Sequence, residues 1–80
     1  MKTIVLSPSA AKAFDKLPPS ARQQCSDALD AYAMHGAGDT RTMGRSSTVR
    51  MRSGDFRIIF DEEATRIVVL ALGHRKDIYR

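Results

Sequence analysis

The sequence predicts an α+β domain, with a helical hairpin packed on one face of an antiparallel-rich sheet in the order β-α-α-β-β-β. Three observations carry this. The chain opens on a short β-branched run, continues through two proline-initiated stretches with helical apolar spacing, and switches to alternating character after Gly38. Eighty residues make a single domain spanning 1–80. A chain of this size buries only about 60% of its unfolded surface, so its core is thin.

The first run, Lys2 to Leu6, reads as a strand. Ser7–Pro8 then starts a helix, with a hydroxyl at the N-cap and a proline at the first helical position, where its missing N–H is harmless. Ala11, Phe14 and Leu17 follow at spacing three and form an apolar stripe. Pro18–Pro19 ends that helix and opens a second, in which Ala21, Cys25, Ala28, Leu29 and Tyr32 share one face. Gly36 is the expected stop, and His35 a dipole-compatible residue in the last turn. Beyond it, Val49 and Met51 alternate with Thr48, Arg50 and Arg52. Phe56, Ile58 and Phe60 alternate with Arg57 and Ile59 in the next strand. Ile67 to Leu72 is continuously apolar, as expected of a strand buried on both sides.

Composition excludes several classes. MKTIVLSPS has too short an apolar run for a signal peptide, and no stretch approaches the roughly 20 apolar residues of a membrane span. The single cysteine, Cys25, has no partner for an internal disulfide. The cytoplasm is the expected compartment. One cysteine and two distant histidines give no metal-ligand spacing, and there is no glycine-rich phosphate loop, so no cofactor is expected.

The charge is +4, and it is sorted. Between Arg41 and Arg57 stand five arginines (41, 45, 50, 52 and 57) against one acid, Asp55. Arg75, Lys76 and Arg80 crowd the tail, while Asp61, Glu62 and Glu63 form an acidic run. Nine of the 13 basic residues are arginine, whose planar fork suits phosphate.

The hairpin turn can fall on Ser53–Gly54 or on Gly54–Asp55. The first register sets Arg50 against Arg57; the second sets Arg52 against Arg57. Either way Arg57 faces another arginine on the side away from Met51 and Phe56. Like charges directly opposed on a sheet are destabilising, and an arginine pair inside a basic patch favours anion binding over a merely solvated face. Two tail residues add chemistry. His74 can give or take a proton near neutrality, and Tyr79 can stack on a base. Alone, each is more often a surface or packing residue; they gain weight by following a strand beside the arginine hairpin. A metal-free RNA cleavage fits this inventory: the ribose 2′-OH attacks the adjacent phosphorus while arginines stabilise the added charge.

Three stretches, Lys16–Pro19, Arg50–Phe60 and Leu72–Tyr79, make the chain resemble the RelE/ParE toxin superfamily, in its RelE-like branch. The resemblance implies a ribosome-dependent endoribonuclease that cuts mRNA in the A site and is held inactive by a cognate antitoxin encoded beside it. On that pattern Arg57 grips the scissile phosphate, Arg75 serves the leaving group or the phosphate, and Tyr79 positions the substrate. Arg50 and Thr48 stand where the type member carries lysines. A guanidinium with a pKa above about 12 cannot readily act as a base, so Arg50 is a stabiliser and His74 the best base on chemistry. Arg45, Arg52 and Lys76 complete the expected phosphate-binding set. The alternatives are a gyrase-inhibiting toxin of ParE type, with the same fold and a protein target, and an inactive ribosome- or RNA-binding module.

Overall fold

The computed structural model describes residues 1–42 and 47–78. Strand β1 (Thr3–Leu6) is followed by helices α1 (Pro8–Asp15) and α2 (Pro19–His35). Strands β2 (Asp39–Thr42), β3 (Thr48–Ser53), β4 (Phe56–Glu62) and β5 (Arg66–His74) come next, and a single turn, α3 (Arg75–Ile78), ends the described chain. The sheet order is β1-β5-β4-β3-β2. Only the β1–β5 pair is parallel; the others are antiparallel. The α+β architecture and the β-α-α-β-β-β order are as the sequence indicates, with β2 and α3 as additions.

The helix signals act as read. The Ser7 Oγ accepts the Ala10 N–H at 3.2 Å, while its own N–H donates to the Val69 carbonyl at 2.9 Å, so one residue caps α1 and anchors it to β5. Pro18–Pro19 divides the helices, and Arg22 Nη1 donates to the Leu17 carbonyl at 2.9 Å across the joint. Gly36 ends α2 at φ +67°, the left-handed cap that glycine adopts without penalty. The buried stripe of α1 is led by Ala10, with Ala13, Phe14 and Leu17 packed beside it, rather than by Ala11. Ala21, Cys25, Leu29 and Ala33 form the buried stripe of α2. They pack on Val49, Met51, Ile58, Phe60, Ile67, Val69 and Leu72 from the sheet. No helix among the described residues is long and apolar enough to cross a membrane.

β5 corrects one expectation. It is hydrogen-bonded on both edges, but from Ile67 to Leu72 it is fully buried on one face only, and Leu70 is 38% exposed. Phe60 pairs with Val69 and Ile59 with Ala71, so Leu70 is an extra residue, a β-bulge. The insertion shifts the alternation by one, so that Leu72 joins Ile67 and Val69 in the core. Among the described residues, the other face of the sheet carries no helix apart from α3 at one end, where Ile78 approaches Gly73.

A polar clasp ties three elements. The Glu62 carboxylate accepts Lys2 Nζ at 2.8 Å and the Tyr32 hydroxyl at 2.7 Å, and the Tyr32 ring lies 5.1 Å from that of Phe60. The Lys2 ammonium, and then the Tyr32 hydroxyl, hold the Glu62 carboxyl below its ordinary range. Burial, and then Glu62, push the Tyr32 hydroxyl up to about 12. Both directions carry stability. The Glu62 contribution is complete above the ordinary carboxylate pKa and is lost as pH falls through the lowered folded value. The Tyr32 contribution is complete below its ordinary 10.0 and is lost as pH rises through about 12. Melting curves from acid to strong alkali should therefore show Glu62→Gln flattening the acid flank and only reducing the alkaline one, which the burial of Tyr32 also drives. Unchanged flanks in the variant would remove the clasp from the stability account.

Candidate phosphate-binding face

The hairpin register decides the site. Gly54–Asp55 is the turn, and Arg52 stands opposite Arg57. Gly54 takes φ +59°, while no residue other than glycine has a positive φ among the described residues. A turn on Ser53–Gly54 would demand that conformation of a serine, which explains the choice. Gln24 Nε2 donates to the Ser53 carbonyl at 2.9 Å and fixes the hairpin end to α2.

Two rows of side chains then cross the sheet face opposite α1 and α2. The first runs Asp39, Arg52, Arg57, Gly73 through β2, β3, β4 and β5. The second runs Arg41, Arg50, Ile59, Ala71. Four arginines and Asp39 line a concavity of about 170 Å³ there. Arg52 donates through Nε to Asp39 Oδ2 at 2.8 Å. Arg57 donates through Nη1 to the carbonyls of Gly54 and Phe56, both at 3.1 Å, so the turn holds its guanidinium. Arg41 makes no hydrogen bond or ion pair among the described residues. Charges this close on an open face repel one another, and an anion laid across them removes that cost.

β2 is the part that sequence reasoning missed. Its four residues, Asp39-Thr-Arg-Thr42, carry no apolar alternation, and their pairing comes from the exposed edge of β3. Arg41 and Asp39 thereby join the site. The only signal was the i, i+2 spacing of two charged residues just after Gly38.

The tail divides between the two faces. His74 pairs with Phe56, and its ring meets the Phe56 ring edge-on at 5.7 Å, which puts it on the helix side of the sheet. Its Nδ1 accepts the Lys76 N–H at 3.2 Å. Gly73, opposite Arg57, points the other way. A Cβ built on it would lie 3.6 Å from Ile78 Cγ1, so Ile78 covers Gly73 on the arginine side. The Arg75 N–H donates to the Asp55 carbonyl at 2.8 Å, stitching α3 to the hairpin turn. Arg75 and Lys76 are exposed at this end of the sheet. Arg57, Arg52 and Arg50 are thus together on one face and His74 is across from them; Arg45 and Tyr79 lie outside the described residues. Among the described residues no group of three or more His, Cys, Asp or Glu side chains could hold a metal ion.

These features define a small basic α+β protein whose sheet is packed by helices on one side and crossed by arginines on the other. Residues 4–79 match the model of the ParE toxin of type II toxin–antitoxin systems, parDE, and the chain belongs to that family, within the RelE/ParE superfamily. Solved structures share the fold. A chain of the RelB–RelE antitoxin–toxin complex from Methanococcus jannaschii superposes with a TM-score of 0.75 at 19% identity, over 94% of each chain. The isolated RelE toxin of E. coli gives 0.70 at 19% identity, over 92% of this chain and 84% of that one. The YoeB dimer of Staphylococcus aureus gives 0.72 at 13%, over 91% and 95%. No curated protein matches at a significant level.

Proposed function

We propose that this chain is the toxin of a type II pair and a metal-independent endoribonuclease that cuts mRNA, in the ribosomal A site, and so stops translation in the cytoplasm. The observation that carries the reading is the opposition of Arg52 and Arg57, flanked by Arg41 and Arg50, on the open sheet face. That arrangement suits a phosphodiester, whose charge rises as the 2′-oxygen adds to phosphorus. The 2′-hydroxyl gives its proton to water as O2′ bonds to phosphorus, the P–O5′ bond breaks, and the departing O5′ takes a proton in return, leaving a 2′,3′-cyclic phosphate and a 5′-hydroxyl. Arg57 and Arg52 grip the phosphoryl oxygens, Arg50 extends the basic track along β3, Lys76 adds charge from the tail, and Arg45 is assigned to the same phosphate-binding set on its charge alone. Arg75 and Tyr79 follow the β5 end and are assigned to the leaving group and to stacking on the splayed base. His74, with its ring against Phe56, holds the tail in this reading instead of carrying the proton.

The partners are then the ribosome, its mRNA and a cognate antitoxin, as in the RelB–RelE and YoeB–YefM complexes of similar structures. An acidic antitoxin segment suits the arginine face. Two observations favour a second reading, inhibition of DNA gyrase: the matched family is that of ParE, and the one histidine near the site is turned away from it. A reconstituted translation reaction followed by primer extension, run beside a gyrase supercoiling assay, separates them. Discrete cuts in ribosome-bound mRNA with normal supercoiling are expected. Lost supercoiling with intact mRNA would establish the second reading, and stalled translation without cuts would leave a ribosome-binding module.

A further inference from the structure

Asp39 is the single acid in the two rows of the arginine face. An acid inside an anion site lowers the local positive potential, so its presence there needs a reason. The geometry supplies one. Asp39 stands directly opposite Arg52, and its Oδ2 takes the Nε–H, the side of the guanidinium fork. Nη1 and Nη2 of Arg52, the end of the fork that meets two phosphoryl oxygens, have no protein partner among the described residues. A long arginine side chain facing Arg57, with Arg50 two residues away on the same strand face, would otherwise swing outward under mutual repulsion. Arg57 is already held by the Gly54 and Phe56 carbonyls.

We infer that Asp39 is a positioning residue: it holds Arg52 side-on so that its two terminal nitrogens meet, together with Arg57, a phosphodiester of a single RNA strand. The inference rests on the reading that this face takes RNA phosphate, and it says how the paired arginines are brought to convergence. Electrostatics alone predicts the opposite sign, because deleting an acid from a basic site should tighten anion binding.

A double-mutant cycle on binding, with no cleavage step, tests it. A short single-stranded RNA fully 2′-O-methylated, and hence uncleavable by 2′-attack, is titrated into wild type, Asp39→Ala, Arg52→Ala and the double variant at one low salt concentration. Asp39→Ala should weaken binding by roughly 3- to 10-fold, within the range for directly coupled pairs. In the Arg52→Ala background the same change should have no effect or tighten binding, because only the repulsive charge then remains. Tighter binding by Asp39→Ala alone would overturn the inference. So would equal weakening in both backgrounds, which would mean that Asp39 merely supports β2. A wild type that binds the oligonucleotide, shows this cycle and leaves ribosomal mRNA uncut would overturn the nuclease reading and leave the positioning role standing. No binding by wild type would overturn the inference, while the nuclease reading stands or falls on the primer-extension result with ribosome-bound mRNA.

Discussion

Arg57→Ala is expected to slow mRNA cleavage by about 100- to 1000-fold while the protein stays folded. The magnitude follows from removing one preorganised donor from a site where charge develops in the transition state. Arg57 is central in its row, with Arg52 on one side and Gly73, covered by Ile78, on the other. No second side chain on β4 can replace it, since the next residue on that face is Ile59. The stability cost should stay near 1 kcal/mol or below. Two hydrogen bonds to turn carbonyls are lost, and the repulsion of the opposed Arg52 is relieved in the same step. Arg57→Lys keeps the charge but loses the fork and should recover only part of the rate. The measurement is single-turnover primer extension at matched folded fraction, with thermal melts alongside. Cleavage within twofold of wild type by a folded Arg57→Ala protein would remove the arginine face from the chemistry.

Phe60→Ala should unfold the domain or leave it barely stable. Phe60 is fully buried, pairs with Val49 on one side and Val69 on the other, and packs its ring against Tyr32. Truncating a buried phenylalanine costs about 3–5 kcal/mol through lost transfer energy and the cavity left behind. A chain of 80 residues has a total stability of only roughly 4–12 kcal/mol at the usual value per residue. The melting temperature should fall by about 12–40 °C, at the usual sensitivity of small domains. Phe60 also lies at the step in pairing with β5, so its loss should loosen the bulge as well as the core. Phe60→Leu retains much of the volume and should remain folded with a smaller drop. A decrease under about 5 °C for Phe60→Ala, read by circular dichroism, would show that the core is not organised around this ring.

Local chemistry made most of the fold legible. The Ser7 cap, the Pro18–Pro19 joint and the Gly36 stop each act through one or two neighbouring backbone groups, so short-range patterns suffice to find them. The alternation in β3 and β4 likewise reported which side chains enter the core, because a half-buried strand repeats every two residues. The arginine opposition was legible as a pair of registers, and the positive φ of Gly54 selected between them. The short strand β2 was not legible. Four polar residues have no burial pattern, and they are extended because β3 offers them an edge.

The sequence by itself determined the class of fold, the sorting of charge and the meeting of Arg57 with a second arginine. Each follows from hydrophobic period, turn chemistry and composition, which are properties of neighbours in the chain. The tertiary structure alone decided which tail residue joins that arginine. Counting in twos from Ile67, a regular strand would place Gly73 on the core side and His74 on the arginine side. The bulge at Leu70 reverses that parity, so that Leu72 fills the core, Gly73 lies beside Arg57, and His74 turns to Phe56. Its physical cause is the demand of the helix-covered core for Leu72 where regular alternation would supply Ala71, a contest between packing and pairing that no stretch of β5 records on its own.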